Sequence, residues 1–300
     1  MTPLEKITYQ GIQIHVKRDD LYPIAGGGNK GRKTQKIFSN IHATKNPVII
    51  TNGGLQSNHA RVCALMAAKH KYECHLVLHS DAQDGNHICA QGNYLISKIA
   101  GASIHIVHAD QIAKKIEEIS SALIDANKTP VIIPGGGHCL EGSLAYVDAI
   151  KELPEEPDYI FLASGTGTTQ AGLMAGLDLR QWNTKVIGIS VARTAGRAKA
   201  VIHDSYMETR VHLGIQHPIE REVLFHDAWT FGGYEKHSPE LSALIKDVAQ
   251  QTGLILDPTY TAKAFFGMMS IIKNSSIFQY KKILFLHTGG LINLLTSNVQ

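Results

Sequence analysis

Short apolar runs rich in β-branched residues alternate along the chain with stretches whose apolar residues recur every three or four positions. The first pattern predicts buried strands, and the second predicts amphipathic helices, most clearly at residues 60–70, 112–124 and 241–248. The predicted strands span residues 12–17, 48–51, 75–78, 103–107, 131–133, 159–163, 185–191 and 282–287. Because parallel strands need helix-sized crossovers, this alternation predicts an α/β fold with open, twisted, mainly parallel sheets flanked by helices.

The order of these elements also predicts two domains. Four successive predicted strands between residues 48 and 133 are enough for a small sheet of their own. Residues 152–158 carry Pro154 and Pro157 among acidic side chains, which is typical of a linker. We therefore expect a small domain at 47–151 with a four-stranded parallel sheet, and a large domain formed by 1–46 and 152–300.

Composition and charge argue against several classes of function. The net charge is +3 and the basic residues are scattered, without the basic stripe of nucleic-acid-binding proteins. No apolar run approaches the roughly 20 residues of a membrane span, and the first residues lack the order of a signal peptide. The four cysteines form no C-x-x-C pair and the 16 histidines no H-E-x-x-H motif. We expect a cytoplasmic protein that binds no nucleic acid, membrane or metal.

Five glycine-rich or polar segments stand where strands should lead into helices, and open α/β sheets bind ligands at such places. They span residues 25–34, 51–59, 164–172, 257–261 and 287–290. The first places Lys30 among glycines, which let a planar ligand approach the backbone. It does not fit a nucleotide P-loop, which needs Gly-Lys followed directly by Ser or Thr, because Gly31 is followed by Arg32, Lys33 and Thr34.

Two of these segments precede predicted helices and favour anionic ligands. In the second segment, Ser57 or Asn58 can cap the helix, and the free N–H groups of its first turn can bind a carboxylate. In the third, the loop at 166–169 opens a helix and predicts a phosphate cradle. Gln170 stands where a dinucleotide fingerprint needs glycine, so a monophosphate is favoured.

Together the segments resemble the family of D-cysteine desulfhydrases and 1-aminocyclopropane-1-carboxylate deaminases. This family consists of fold-type-II enzymes, similar to tryptophan synthase β, that use pyridoxal 5′-phosphate (PLP). Matching stretches lie at residues 2–5, 16–21, 28–30, 92–95, 134–137, 142–146, 166–172, 256–263 and 287–290. The resemblance implies PLP in the cleft between two domains, a small amino-acid substrate and a homodimer.

The resemblance also implies a role for individual residues. Lys30 stands where the family forms a Schiff base with PLP, and such a lysine needs burial or a neighbouring cation to lower its pKa; Arg18 and Arg32 are candidates. The implied cofactor contacts are Lys30, Asn58, Thr166, Gly167, Thr168, Thr169 and Thr288. The implied substrate contacts are Gln56, Ser57, Asn58 and Tyr260, and the implied catalytic residues are Lys30, Ser57, Tyr234 and Tyr260.

Two threonines favour one branch of the family. The deaminases share a Glu directly after the Tyr260 position and an apolar residue at the Thr288 position, whereas this chain has Thr261 and Thr288. A carboxylate keeps the pyridine nitrogen protonated better than a hydroxyl does, and ring opening is harder than β-elimination of sulfur. We therefore predict β-elimination of D-cysteine, or a similar small D-amino acid, to pyruvate, ammonia and sulfide. The alternatives are the cyclopropane deaminase and a non-catalytic PLP-binding protein.

Overall fold

The computed structural model describes residues 1–80, 89–216 and 221–297, which form two sheets surrounded by helices. The strands are β1 Leu4–Tyr9, β2 Ile12–Lys17, β3 Pro47–Gly54, β4 Glu73–His79, β5 Ser103–Val107, β6 Thr129–Ile133, β7 Tyr159–Ser164, β8 Lys185–Ser190, β9 Leu224–His226 and β10 Ile283–Leu286. The helices are α1 Asn29–Ile41, α2 Asn58–Lys69, α3 Gly92–Ile99, α4 Ile112–Asp125, α5 Leu140–Lys151, α6 Thr168–Leu179, α7 Ala195–His212, α8 Pro239–Thr252, α9 Thr261–Lys273 and α10 Leu291–Leu295.

The larger sheet has six strands in the order β1-β2-β10-β7-β8-β9. Among these strands of the described residues, the β1–β2 pair is antiparallel and the other four pairs are parallel. Successive residues of β10 enter opposite cores, with Phe285 in one and Leu286 in the other. Helices cover both faces of this sheet, which explains why its central strands are continuous apolar runs.

The smaller sheet, built from described residues, has four parallel strands in the order β5-β4-β3-β6. Its core on one face is completed by α2 and by Ile37, Phe38 and Ile41 of α1. The expected domain division had placed α1 with the larger sheet. Conversely, Tyr146 and Ile150 of α5, which the division had placed with the smaller sheet, join a core of the larger one.

Two strands were absent from the predicted set. β1 alternates apolar and charged residues, with Glu5 and Lys6 in its first half, and β9 has only three residues. Both lie at the edges of the larger sheet, where a continuous apolar run is not needed. Within the described ranges, no helix has both the length and the hydropathy required to cross a membrane.

Candidate active site

The carboxyl ends of strands from both sheets open onto one cavity of about 270 Å³. Strands β3, β4 and β6 contribute from the smaller sheet, and β7, β8 and β10 from the larger one. The lining residues are 29, 30, 33, 52–54, 57–59, 135–136, 163–167, 169, 191–193 and 288–289, together with His79, Tyr234 and Tyr260. The five segments singled out in the sequence therefore meet at one place.

Lys30 projects into this cavity from the first turn of α1. Gly28 precedes the helix with φ +99°, and a Cβ at that position would lie 3.0 Å from the carbonyl oxygen of Thr288. Glycine is therefore required where α1 begins against the β10 loop. The Lys30 amine donates a hydrogen bond of 3.2 Å to the carbonyl oxygen of Gly136.

Burial lowers the pKa of Lys30 to about 8, so its amine is partly neutral and nucleophilic near neutral pH. The two arginines named as candidates for lowering this pKa form ion pairs with carboxylates. Arg18 pairs with Asp20 at 2.7 Å, and Arg32 pairs with Asp19 at 2.8 Å. Of the two expected causes, burial lowers the pKa of Lys30, and neither arginine contributes to the shift.

Lys33 is a site residue that the sequence reasoning missed. It lies one helical turn after Lys30 and lines the same cavity, although its side chain is almost completely buried. Burial and the charge of Lys30 lower the pKa of Lys33 well below its usual range. No hydrogen-bond acceptor among the described residues reaches its amine. The i, i+3 spacing of the two lysines was the signal that could have identified it.

The loop before α6 forms the predicted cradle. Gly167 adopts φ +89° as the N-cap, and the first-turn N–H groups that follow have no acceptors within the helix. Thr166 and Thr169 line the cavity with Gly167. Thr168, predicted as a cofactor contact, does not line it: its buried hydroxyl is hydrogen-bonded to Thr166 at 3.2 Å and to His138 at 2.7 Å. Thr168 thus stabilises the loop at 166–169 through these hydrogen bonds, without lining the cavity.

On the opposite wall, Ser57 caps α2 by accepting a hydrogen bond of 3.2 Å from the Ala60 amide, and it also lines the cavity. Gln56, predicted to contact substrate, is not among the lining residues. Its side-chain oxygen accepts from the Asn93 amide at 2.9 Å, and its nitrogen donates to the Gln91 carbonyl at 3.2 Å. The Gln56 side chain is therefore turned away from the cavity and holds the start of α3.

Asn58 lines the cavity from within a buried polar network. Its side-chain oxygen accepts hydrogen bonds from Arg61 at 2.9 Å and Asn93 at 3.0 Å, and its nitrogen donates to Asn293 at 2.6 Å. Since a carboxamide has two N–H donors, one remains for a ligand oxygen. The network fixes the orientation of Asn58 before any ligand arrives.

Tyr234 and Tyr260 meet at the cavity, with their hydroxyl oxygens 2.5 Å apart. Burial raises the pKa of both phenols, so both stay protonated at neutral pH. Tyr260 is held by Asp257, whose carboxylate accepts a hydrogen bond of 3.0 Å from its amide. The pair is a protonated hydrogen-bond donor set directed at the cavity.

The two threonines used to choose a family branch differ in position. Thr288 lines the cavity. Thr261 is completely buried at the start of α9, where its hydroxyl donates a hydrogen bond of 2.7 Å to Asp257 and accepts one of 2.8 Å from the Asp257 amide. Only Thr288 of this pair can therefore contact a ligand directly.

Comparison with known proteins identifies the family of this site. The family model described as pyridoxal-phosphate dependent enzyme matches residues 1–289. The chain belongs to this family. A Pyrococcus furiosus protein, named provisionally as a 1-aminocyclopropane-1-carboxylate deaminase, is 35% identical over 291 residues, which cover 94% of this chain and 85% of the relative. The expected family membership is thereby confirmed.

Two further relatives support the same assignment. A D-cysteine desulfhydrase of Yersinia pestis (strain Pestoides F) is 30% identical over 302 residues, which cover 96% of this chain and 91% of the relative. A crystal structure described as that of an ACC deaminase homologue superposes with a TM-score of 0.87 at 32% identity, and the match covers 97% of this chain and 90% of that chain. The expected fold class and the PLP cofactor are thus confirmed.

The residues of the cavity fit PLP. Ser164 has a buried hydroxyl without a partner among the described residues, and the buried Lys33 side chain lines the same cavity; both suit an anionic phosphate. A Cβ at Gly136 would lie 2.8 Å from the Thr166 methyl and 3.6 Å from the Lys30 amine. The wall beside Lys30 therefore tolerates only glycine, which leaves room for a planar ligand.

Proposed function

We propose that this chain is a PLP-dependent lyase that eliminates sulfide from D-cysteine, or the β-substituent from a similar small D-amino acid. The observation that carries the proposal is Thr288 in the cavity wall, combined with the lack of any Asp or Glu among the lining residues of the described ranges. Without a carboxylate partner, the pyridine nitrogen is protonated less fully. Such a weaker electron sink is sufficient when the leaving group is a sulfur that departs readily.

In this proposal the cofactor and Lys30 have different roles in the elimination. When bound, PLP supplies the sink for the electron pair left at the substrate α-carbon. Lys30, whose pKa burial lowers to about 8, takes the α-proton. The bond between the β-carbon and sulfur then breaks, and the sulfur leaves with the bonding electron pair as hydrosulfide. Hydrolysis of the released three-carbon product gives pyruvate and ammonia.

The walls of the cavity orient the substrate. The α2 N-terminus, with Ser57 as its cap, presents free N–H groups to a substrate carboxylate. Tyr234 and Tyr260 remain protonated and can donate a hydrogen bond to the departing sulfur. Lys33, Ser164 and the α6 N-terminus would hold the phosphate at the other end.

A second candidate is opening of the ring of 1-aminocyclopropane-1-carboxylate to 2-ketobutyrate and ammonia. It is favoured by the names of the Pyrococcus relative and of the homologous crystal structure. That substrate has no hydrogen at its α-carbon, so Lys30 or the tyrosine pair would have to transfer a proton at a ring carbon. The same two tyrosines would face the ring.

A substrate panel separates these functions. PLP-loaded protein is incubated with D-cysteine, L-cysteine, D-serine and the cyclopropane substrate, while sulfide, pyruvate and 2-ketobutyrate are measured. Lys30→Ala with the same PLP concentration corrects for breakdown by free cofactor. We expect sulfide and pyruvate in equal amounts from D-cysteine, at a rate at least about tenfold above that from L-cysteine. Robust 2-ketobutyrate with little sulfide would establish the deaminase, and no product at all would establish a PLP-binding protein without turnover.

A further inference from the structure

Lys263 is a completely buried lysine outside the cavity. It is the third residue of α9, where the positive end of the helix dipole disfavours a cation. Burial of an ammonium group is costly unless its donors are satisfied. Both the position and the burial of Lys263 therefore destabilise its protonated form. Neighbouring groups must compensate for this cost.

The compensation comes from three backbone carbonyl groups. The Lys263 amine donates to the oxygens of Val191 at 3.2 Å, Thr230 at 2.8 Å and Gly233 at 2.6 Å. These three acceptors match the three N–H donors of an ammonium group. In the part of the chain that the structure describes, no carboxylate lies within ion-pair distance of Lys263. The group is thus held as a cation among carbonyl oxygens.

The three carbonyl groups belong to two segments that meet at the cavity. Val191 follows β8 and lines the cavity, whereas Thr230 and Gly233 belong to the loop at 227–237 that carries Tyr234. This loop has positive φ at Phe231 (51°) and at Glu235 (58°), in addition to its glycines. Residues other than glycine rarely adopt such angles, so surrounding contacts must hold the loop in this conformation.

We infer that Lys263 is a positioning residue that acts as a built-in monovalent cation, fastening the loop at 227–237 to the end of β8 and so holding Tyr234 against Tyr260. Clusters of backbone carbonyl oxygens are also the ligands that bind potassium ions in proteins. The importance of this contact for turnover rests on the proposed function, because the tyrosine pair acts there on the substrate. The contact itself exists independently of any substrate.

Two substitutions distinguish the charge of Lys263 from its volume. Lys263→Met keeps most of the side-chain volume without the ammonium group, and Lys263→Ala leaves a space that ethylammonium can enter. Lys273→Met, at the exposed end of the same helix, is the matched control. Hydrogen–deuterium exchange of the loop peptide is measured without PLP, so that the result does not depend on catalysis.

We expect exchange in residues 227–237 to be at least about tenfold faster in both Lys263 variants and unchanged in Lys273→Met. In the loaded enzyme, kcat for D-cysteine should fall about tenfold or more, with PLP affinity within about threefold of wild type. Ethylammonium should slow the exchange and restore turnover in Lys263→Ala but not in Lys263→Met. Lithium at equal ionic strength should have no effect on either quantity.

Other outcomes overturn the inference. If exchange stays at the wild-type rate in Lys263→Met, the charge does not hold the loop, even if Lys263→Ala is disturbed or fails to fold. If ethylammonium has no effect on Lys263→Ala, the carbonyl groups do not form a cation site. Fast exchange that ethylammonium reverses, in a protein inactive on D-cysteine, would uphold the role of Lys263 and reject only the proposed substrate.

Discussion

At the scale of single residues, the site depends on two lysines with different environments. The Lys30 amine has a hydrogen-bond acceptor, the Gly136 carbonyl, and keeps a pKa of about 8. The more deeply buried Lys33 has its pKa lowered well below its usual range by burial and by the charge of Lys30. An anion beside Lys33 would favour its charged form again, so phosphate binding and protonation of Lys33 should be coupled. From the burial and the contacts of the two lysines, we propose that Lys30 carries out the chemistry and that Lys33 binds the phosphate.

Replacing Lys33 by Met should weaken the binding of PLP without weakening that of pyridoxal, which lacks the phosphate. Loss of one charge-assisted hydrogen bond costs about 1.5–3 kcal/mol, or roughly ten- to a hundredfold in affinity. The cofactor-free variant should be at least as stable as wild type, because a buried unpaired amine is removed. Equilibrium dialysis and urea unfolding measure the two effects.

Lys36→Met is the matched control, since Lys36 lies one further turn along α1 and pairs at the surface with Asp148 at 2.9 Å. It should leave both affinities unchanged. Equal losses for PLP and pyridoxal in Lys33→Met would show that Lys33 does not contact the phosphate.

At the scale of elements, the sequence predicted which segments form the site but not which side of each segment faces the cavity. The α/β alternation and the glycine-rich strand ends located the lining loops, because such features depend on neighbouring residues alone. The rotation of a side chain depends on distant partners. Gln56 turns towards Asn93, and Thr261 turns towards Asp257, so neither lines the cavity.

The helices show the same limit. The periodicity of α1 and α5 identifies an apolar face but not the sheet that the face covers. Ile37 of α1 packs on the smaller sheet and Ile150 of α5 on the larger one, the reverse of what their order in the chain indicated. Lys263 could not be recognised from the sequence either, because its three acceptors are backbone groups from other elements.

At the scale of the whole molecule, a charge cluster near the amino terminus joins distant parts of the chain to α1. Glu152, at the end of α5, binds Lys17 of β2 at 2.6 Å and Arg32 of α1 at 2.5 Å. Asp19 accepts hydrogen bonds of 2.7 Å from both Thr2 and Tyr146. Since Arg32 lies two residues after Lys30 in α1, this cluster fixes the helix that presents Lys30 to the cavity.

The cluster predicts a specific dependence of stability on pH. Burial alone would raise the pKa of Glu152, but its hydrogen bonds to Arg32 and Lys17 outweigh burial and lower the pKa from 4.5 to about 2. A carboxyl group whose pKa is lower in the folded state stabilises the protein above its unfolded value and loses that effect as the pH falls. The contribution should therefore be complete above about pH 5 and should disappear towards about pH 2.

Glu152→Gln tests this dependence in cofactor-free protein. At pH 7 the variant should be less stable than wild type by about 1–3 kcal/mol, because two cations lose their carboxylate. The difference should shrink as the pH is lowered from 5 towards 2. Urea unfolding at several pH values measures it, and Glu118→Gln, which removes an exposed helical ion pair with Lys115, should behave as wild type. A difference that is independent of pH would contradict the role of the Glu152 charge.

The central claim is that one cavity holds PLP and presents Lys30 to it. Reduction of the PLP-loaded protein with borohydride, followed by proteolysis and mass spectrometry, tests this claim directly. We predict that the reduced cofactor is attached to the peptide containing Lys30 and specifically to Lys30. Attachment to Lys33 or Lys263, or no attachment to any lysine, would contradict the account.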